Sequence, residues 1–585
     1  MPRSQDPNAL HSAIEWTSQY ASLTPGWSDL FGQKPTWDDF FARIRQYPIA
    51  QALLHLGHIN TVLEKHPHKE GQLGLCHDLF KPDGQDIVER LARFASTPVN
   101  ARVKKMPSLF YSPQVLITAK LVLAYQSGSV TAPATSSLRP LAEALLMVTD
   151  LVQIPQGMES IAASMTASFL FTRTDVPVNG LARSFELFMT DRADLRDHSS
   201  YVNLPEQLTR ITGLPPDLLW LMLFSVYGEF DARPAQDAWM PFSIESYFPV
   251  HTDAEAANAG LSFTSSEVKN VVDLLSDTIP ELAAKISDRG FSHESALLYD
   301  VMEFAEFPLV REDGKYLCMS VDFLLKKLTS GMHYVFLDQA STTSRERLRY
   351  FVFLGAVFEK YVDEILSRCL SRSSGTYSGL ITPPNIKGKQ ASCCDAVWHS
   401  GDALVLFEIK AKHLDLGARV GNRERLDKKL EEIVFDSASQ IDSTIKLFKD
   451  GKLPIGNADP AQVRRFFPIV ITLDSLVMHP LAHMSITREM KERGLLQQEG
   501  TRPIQLMNVA ELEHLEVGLE RGLLLLHILA KKLDMDEWRG APFQNFFLFQ
   551  YPQAFKGAQN THLLAVFNKL KDRAVGLLQE RGARE

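Results

Sequence analysis

Apolar residues recur at helical spacing through most of the first 240 residues. Between Asp38 and Leu63 they fall at Phe41, Ile44, Ile49, Leu53, Leu56, Ile59, Val62 and Leu63. That three-and-four rhythm lays one apolar stripe along a helix. It also predicts helices over Pro113–Tyr125, Leu138–Val152, Ser160–Phe171 and Pro216–Tyr227, the last opened by Pro215-Pro216-Asp217 and followed by Gly228. Polar loops are expected at Gly128–Ser137 and Arg192–Ser200. No fixed-period repeat stands out, although stacked irregular helical hairpins fit the pattern as well.

After residue 240 the rhythm changes. Phe307–Cys318 reads as a hairpin on an Asp313-Gly314 turn, with a helix over Asp322–Ser330 and Ser320 near its start. A long helix is expected over Arg345–Leu370, its stripe made of Phe351, Leu354, Phe358, Tyr361, Val362, Ile365, Leu366 and Cys369. Glu359 shares a face with Gly355, Val362 and Leu366, which aims an acid at an apolar interface, where it needs a partner; a charged rim to the stripe is the plainer reading. Ser371–Ala391 is expected to be a polar loop. Two short strands then fold about His399-Ser400-Gly401-Asp402. In the second, Val405, Phe407 and Ile409 point one way, and Leu406, Glu408, Lys410 and Lys412 the other. A helix follows over Arg423–Asp450, with Leu426, Leu430, Ile433, Val434, Ile441, Ile445 and Phe448 inward. Phe466–Leu473 and a segment from Pro503 read as buried strands, and Ala510–Leu533 as a helix. The expected class is α+β: a helical domain over 1–240, an α+β connector over 241–344, a second domain with a mixed sheet over 345–535, and a helical tail over 536–585.

The strand pair carries the chemistry. A turn centred on Ser400 and Gly401 puts Asp395 opposite Leu406 and makes Glu408 its diagonal neighbour, roughly 7–8 Å away. Two carboxylates so placed reach one hard divalent cation, which takes oxygen ligands and keeps waters. Lys410 would stand beside it, able to orient a water for attack on phosphorus. A solvated sheet face is the bland alternative.

Asp395, twelve intervening residues, and then Glu408-Ile409-Lys410 resemble the core of the PD-(D/E)XK nuclease superfamily; Cys394 stands where the name of the motif has proline. Gly355, Phe358, Glu359 and Tyr361 are similar to the first helix of that family, and Gln440 sits where its members often place a glutamine. The resemblance, over about 345–535, implies a restriction-endonuclease-like fold and a Mg²⁺ (or Mn²⁺) site made of Asp395, Glu408 and Glu359. It also implies catalytic roles for Lys410 and Gln440, DNA as substrate, and products ending in 5′-phosphate and 3′-hydroxyl. An RNA-directed nuclease, or a nucleic-acid-binding or assembly module that kept the fold and lost catalysis, remain alternatives.

Composition changes this picture in few places. The 585 residues are 45% hydrophobic and 22% charged, an ordinary globular balance, and the net charge of −9 excludes a wholly basic nucleic-acid coat. Residues 341–480 nevertheless hold 20 Lys and Arg against 17 Asp and Glu, leaving 41 against 53 elsewhere. Lys387, Lys389, Lys412, Arg419, Arg423 and Lys428 are candidates for tracking a phosphate backbone; a solvated helix face paired with Glu424, Glu431 and Glu432 would look the same. Five cysteines without CxxC pairs suggest a reduced, cytoplasmic protein. The apolar stretches at Leu218–Val226 and Leu523–Ala530 are too short to span a bilayer, so no membrane partner is expected. His55, His58, His66, His68 and His77 match no zinc template. No phosphate-binding loop, dinucleotide fingerprint or GxSxG elbow appears. A nuclease without a motor acts alone, relies on a partner protein or ATPase, or waits for a signal. The helical half is large enough to be sensor, partner surface or homo-oligomer interface, and bacterial defence against phage or foreign DNA is the role the analogy suggests.

Overall fold

The helical and alternating rhythms resolve into an α+β protein, mostly helical before residue 340 and built on a five-stranded mixed sheet after it. The computed structural model describes residues 24–582 except 67–68, 98–99, 101–106, 126–136, 153–175, 233–264, 338–342, 372, 387, 413–422, 475 and 477–479. The helix expected over Ser160–Phe171, the boundary at 240 and all but the end of the loop Gly128–Ser137 lie outside the described residues. Among those described, no helix is long and apolar enough to cross a membrane.

The chain forms two compact units. One takes the described residues of Thr17–Pro155, Pro205–Phe336 and Lys569–Glu585, the other those of Gln156–Leu204 and Leu337–Asn568. In the first, the helix Ile49–Lys65 packs on Ser112–Tyr125, which is buried from Pro113 to Leu123. Lys120 in that helix would be costly alone; Asp300 at 2.9 Å and Glu303 at 3.0 Å neutralise it. His55 and His58 are buried there as packing residues. The hairpin pairs Leu309–Glu312 with Lys315–Cys318, and its turn has the positive φ angles, 48° at Asp313 and 71° at Gly314, that an Asp-Gly turn favours. The short strand Ser276–Thr278 joins it in parallel, too brief and polar to show a pattern.

The second unit begins with helix α1, Ser344–Leu370, opened by Thr343 and Glu346 in a capping box. Its buried stripe runs through Tyr350, Phe353, Leu354, Val357, Phe358, Tyr361, Val362, Ile365, Leu366 and Cys369. Phe351, expected in that stripe, is 47% exposed. One residue turns a helix by 100°, and Tyr350 takes the inward position instead. Strand β1, Thr376–Leu380, lies inside the expected polar loop. Its Thr-Tyr-Ser-Gly-Leu sequence is only half-buried on alternate residues, so no apolar alternation announces it. Strands β2 (Ala396–Ser400) and β3 (Ala403–Lys410), helix α2 (Asp436–Lys449), β4 (Arg465–Thr472), α3 (Pro480–Glu492), β5 (Gln505–Asn508) and α4 (Val509–Glu520) follow. The expected helix Arg423–Asp450 contains a π-helical turn, Glu431–Phe435, just before α2. The one expected over Ala510–Leu533 is broken near Gly522, φ 89°, into α4 and a helix over Leu525–Asp534.

The sheet order is β1-β2-β3-β4-β5: the first three strands are antiparallel, and β3, β4 and β5 run parallel. Strand β3 is central, and all its residues but Lys410 are buried. Leu404 and Leu406 pack with Ala438, Ile441 and Ile445 of α2 in one core, while α1 packs against β1, β3 and α4. The β2–β3 register corrects the expected one: Val397 faces Leu406 and Ser400 faces Ala403, so the turn is Gly401-Asp402. Gly401, at φ 60°, supplies the left-handed conformation that a tight hairpin needs.

Helix α1 is held by buried charge as well as apolar contact. Tyr361 donates to Glu513 of α4 at 2.8 Å, Arg183 binds the other oxygen of Glu513, and Arg368 donates to Glu516 at 2.9 Å. Glu513 and Glu516 are each 1% exposed. Removing one partner of a buried pair strands the other. Arg183→Ala is therefore expected to cost about 3 kcal/mol, read as a lower urea midpoint for unfolding.

Candidate active site

The site lies at the carboxyl end of β3, where the chain leading into β2 runs alongside. The β2–β3 pairing ends at Ala396–Phe407; Asp395, the next residue outward, still sends its N–H to Phe407 O while its carboxylate takes the Ile409 N–H, so it stands beside Glu408, which lies between those two β3 residues. The expected arrangement was diagonal. The pairing shifts by two residues, so the β3 side chains keep their expected faces.

Asp395 is held by both neighbouring strands. Its N–H donates to Phe407 O at 3.0 Å, and its carbonyl accepts from Ile381 N at 2.7 Å. Its Oδ2 accepts the Ile409 N–H at 2.6 Å, doing for that amide what the next ladder carbonyl would have done. The side chain thus ends the β2–β3 ladder and is locked beside Glu408. Burial raises the Asp395 pKa, against the lowering effect of the Ile409 N–H and Lys410.

Glu408 is fully buried. Its Oε1 accepts from Lys410 Nζ, while its Oε2 has no hydrogen-bond partner among the described residues. Burial first, then the charge of Asp395, pushes its pKa up to about 8, with Lys410 pulling the other way and Glu359 adding to the rise. Glu359, half-buried on α1, is raised to about 7 by burial and then by Asp395, again against Lys410. Three acids therefore feel one lysine. Lys410 also donates to Gln440 Oε1 on α2 at 3.0 Å, and Gln440 Nε2 reaches Cys393 O at 3.5 Å.

The structure thus brings together all five residues expected at the site: Asp395, Glu408, Lys410, Glu359 and Gln440. Among the described residues, however, no group of three or more His, Cys, Asp or Glu side chains stands ready to hold a metal ion. Glu408 is turned to Lys410, so Asp395, Glu408 and Glu359 do not form a closed three-carboxylate cage as they stand. The donors nevertheless suit a hard cation: they are carboxylate oxygens, and Glu408 Oε2 is buried without a hydrogen-bond partner, a position a cation would satisfy.

Of the expected phosphate-tracking residues, Lys389 and Lys428 are exposed. Lys412 is exposed and paired with Glu432 at 3.5 Å, a carboxylate that Lys429 also engages at 3.0 Å; this pairing was the plainer reading of that helix face. Lys387, Arg419 and the side chain of Arg423 lie outside the described residues. Sequence reasoning missed Thr444. Fully buried one turn beyond Gln440, it accepts the Cys394 N–H at 2.7 Å and donates to Gln440 O at 2.8 Å. Its only signal was a polar residue four positions after Gln440 on an apolar face.

No protein family, curated protein or solved structure compared with the chain matches it.

A carboxylate whose folded pKa is raised stabilises the fold only while protonated. For Glu408 that contribution is fully present below its ordinary value of 4.5 and is lost as pH rises towards about 8. Glu408→Gln removes the charge, and is expected to raise stability at about pH 8 by about 1–3 kcal/mol with little effect near about pH 4. Urea unfolding of both proteins at the two pH values checks this; equal midpoints at the higher pH would contradict the buried, repelled carboxylate.

Proposed function

We propose that this protein is a divalent-metal-dependent endonuclease acting on DNA, with a nuclease fold of the PD-(D/E)XK kind. The observation that carries the reading is the Asp395 carboxylate held on the Ile409 N–H beside buried Glu408, with Lys410 linking Glu408 to Gln440 and a Glu408 oxygen left without a hydrogen-bond partner among the described residues. Asp395 and Glu408 would hold Mg²⁺ or Mn²⁺, with Glu359 completing the site directly or through water. A cation so bound offsets charge on a scissile phosphate and makes a bound water more acidic. Lys410, held by Gln440, aligns the attacking water and counters charge that builds on the phosphate oxygens. Exposed Lys389, Lys412 and Lys428 would meet the phosphate backbone. A role in the bacterial cytoplasm, in defence against foreign DNA and under control of a partner protein, a second copy or a bound signal, fits a chain without a motor sequence.

The test is incubation of supercoiled plasmid, and separately of RNA, with Mg²⁺, Mn²⁺ or EDTA. Wild type should nick or linearise plasmid only with metal. Asp395→Ala and Lys410→Ala should each reduce the rate by about 10²-fold or more. RNA cleavage without DNA cleavage would move the substrate class. Nucleic acid left equally intact by wild type and variants would end the catalytic reading.

Metal ligands must be ionised, so binding competes with protons. With Glu359 at about 7 and Glu408 at about 8, cleavage at limiting Mg²⁺ should rise with pH through that range and level above it. Raising Mg²⁺ should move the midpoint to lower pH. A rate that is flat from about pH 6 to about pH 9 at limiting metal would contradict this coupling.

A further inference from the structure

We infer that Thr444 is a positioning residue for this site, the pin that fixes the lead-in to Asp395 against the helix carrying Gln440. The inference rests on the proposed nuclease reading.

Residues Ala391–Asp395 belong to no strand, so the Cys394 N–H has no ladder partner. Cys394 is buried, and an unpaired buried amide costs about 1–3 kcal/mol. Thr444 Oγ1 accepts that N–H at 2.7 Å. Its own proton goes to Gln440 O, one helical turn back, at 2.8 Å. Both capacities of the hydroxyl are therefore used, and its orientation is set. Gln440 closes the circuit, with Nε2 towards Cys393 O and Oε1 receiving Lys410. Through these bonds α2 touches the segment just before Asp395 on two successive residues, and touches β3 at the lysine that holds Glu408. The spacing between the lead-in to Asp395 and the helix carrying Gln440 is thus fixed at a buried hydroxyl, beside the longer Gln440–Cys393 bond.

The residue at 394 takes part through its backbone. A proline there would carry no N–H to donate, so the cysteine that departs from the motif's name and the threonine fifty positions later form one device. The thiol points towards Ala396 O at 3.7 Å and also lies against the Thr444 hydroxyl.

Three variants of the full chain separate the possibilities: Thr444→Val, nearly the same shape without the hydroxyl; Thr444→Ser, which keeps it; and Cys394→Ala, which keeps the backbone donor and loses the thiol. Plasmid cleavage, Mn²⁺ binding by calorimetry, plasmid binding in EDTA and unfolding midpoint are measured for each. Thr444→Val should lower kcat by about 10²-fold, as misplacement of catalytic groups by about 1 Å does. It should weaken Mn²⁺ binding several-fold and leave KM and EDTA binding near wild type. Thr444→Ser should recover kcat and Mn²⁺ affinity, and Cys394→Ala should match wild type in both, whatever each does to the midpoint. A Thr444→Val protein with a lowered midpoint but wild-type kcat and Mn²⁺ affinity in its folded fraction makes the residue purely structural and overturns the inference. Failure of serine to rescue overturns it as well. Wild type that neither cleaves nor binds Mn²⁺ instead removes the nuclease reading on which the inference stands.

Discussion

The constraint on which this site depends is three acids sharing one ammonium, with Glu408 fully buried and the other three groups half-buried. Carboxylate charges gathered there repel one another more strongly than in water, because the effective dielectric of a protein interior is about 20 and not about 80. One lysine offsets part of that repulsion and not the rest. The fold answers with fixed dipoles where it has them, the Ile409 N–H on Asp395 being the clearest. For Glu408 Oε2 it offers none among the described residues. Burial first, and then this repulsion, is settled by retained protons, and Glu408 and Glu359 are pushed up to about 8 and about 7. A bound dication would replace those protons, and the cluster's cost in free energy becomes its affinity for positive charge.

Such a cluster persists only if its frame cannot relax away. Strand β3 sits between an antiparallel and a parallel neighbour, with α1 and α2 packed against it, and its apolar residues are buried throughout. Glu408 cannot swing to solvent without opening that sheet. Helix α1, which must present Glu359, is fixed by Tyr361 and Arg368 through carboxylates that are themselves almost fully buried. Buried ion pairs add little net stability compared with apolar packing. Their directionality sets the rotation of the helix about its axis, and on that rotation the placement of Glu359 depends.

How much was legible in the sequence follows from the range of each interaction. The hairpin at Asp313-Gly314, the extent of α1 and the alternation in β3 are local, and local pattern displayed them. The face of Glu408 and Lys410 was legible as well, since a one-residue error in the turn shifts the pairing by two and preserves side-chain parity. The turn itself was misplaced because Ser400 and Asp402 are equally polar, and only the pairing of Ser400 with Ala403 marks the true centre. Strand β1 was invisible because a half-exposed edge strand of Thr, Tyr, Ser and Gly carries no apolar rhythm. Phe351 was assigned inward because its neighbour Tyr350 is equally apolar in pattern. The pKa rises of Glu359 and Glu408 required three dimensions: they come from burial by helices far away in sequence.

The position before Asp395 shows why a short motif understates its own site. Counted as a letter, Cys394 is a departure whose side chain coordinates nothing, and it can be passed over. Counted as a peptide group, it carries a buried N–H that meets α2, and Thr444 receives it. Motifs record side chains, whereas the path of a chain into a site is fixed by backbone donors and acceptors that must be satisfied once buried. A change of residue type that adds or removes an amide hydrogen therefore requires an answering change wherever that hydrogen points. In this chain the answer is a threonine on the face of α2, four residues from the glutamine that holds Lys410. The cysteine and the threonine are each unremarkable in the sequence, and their meaning lies in the pair.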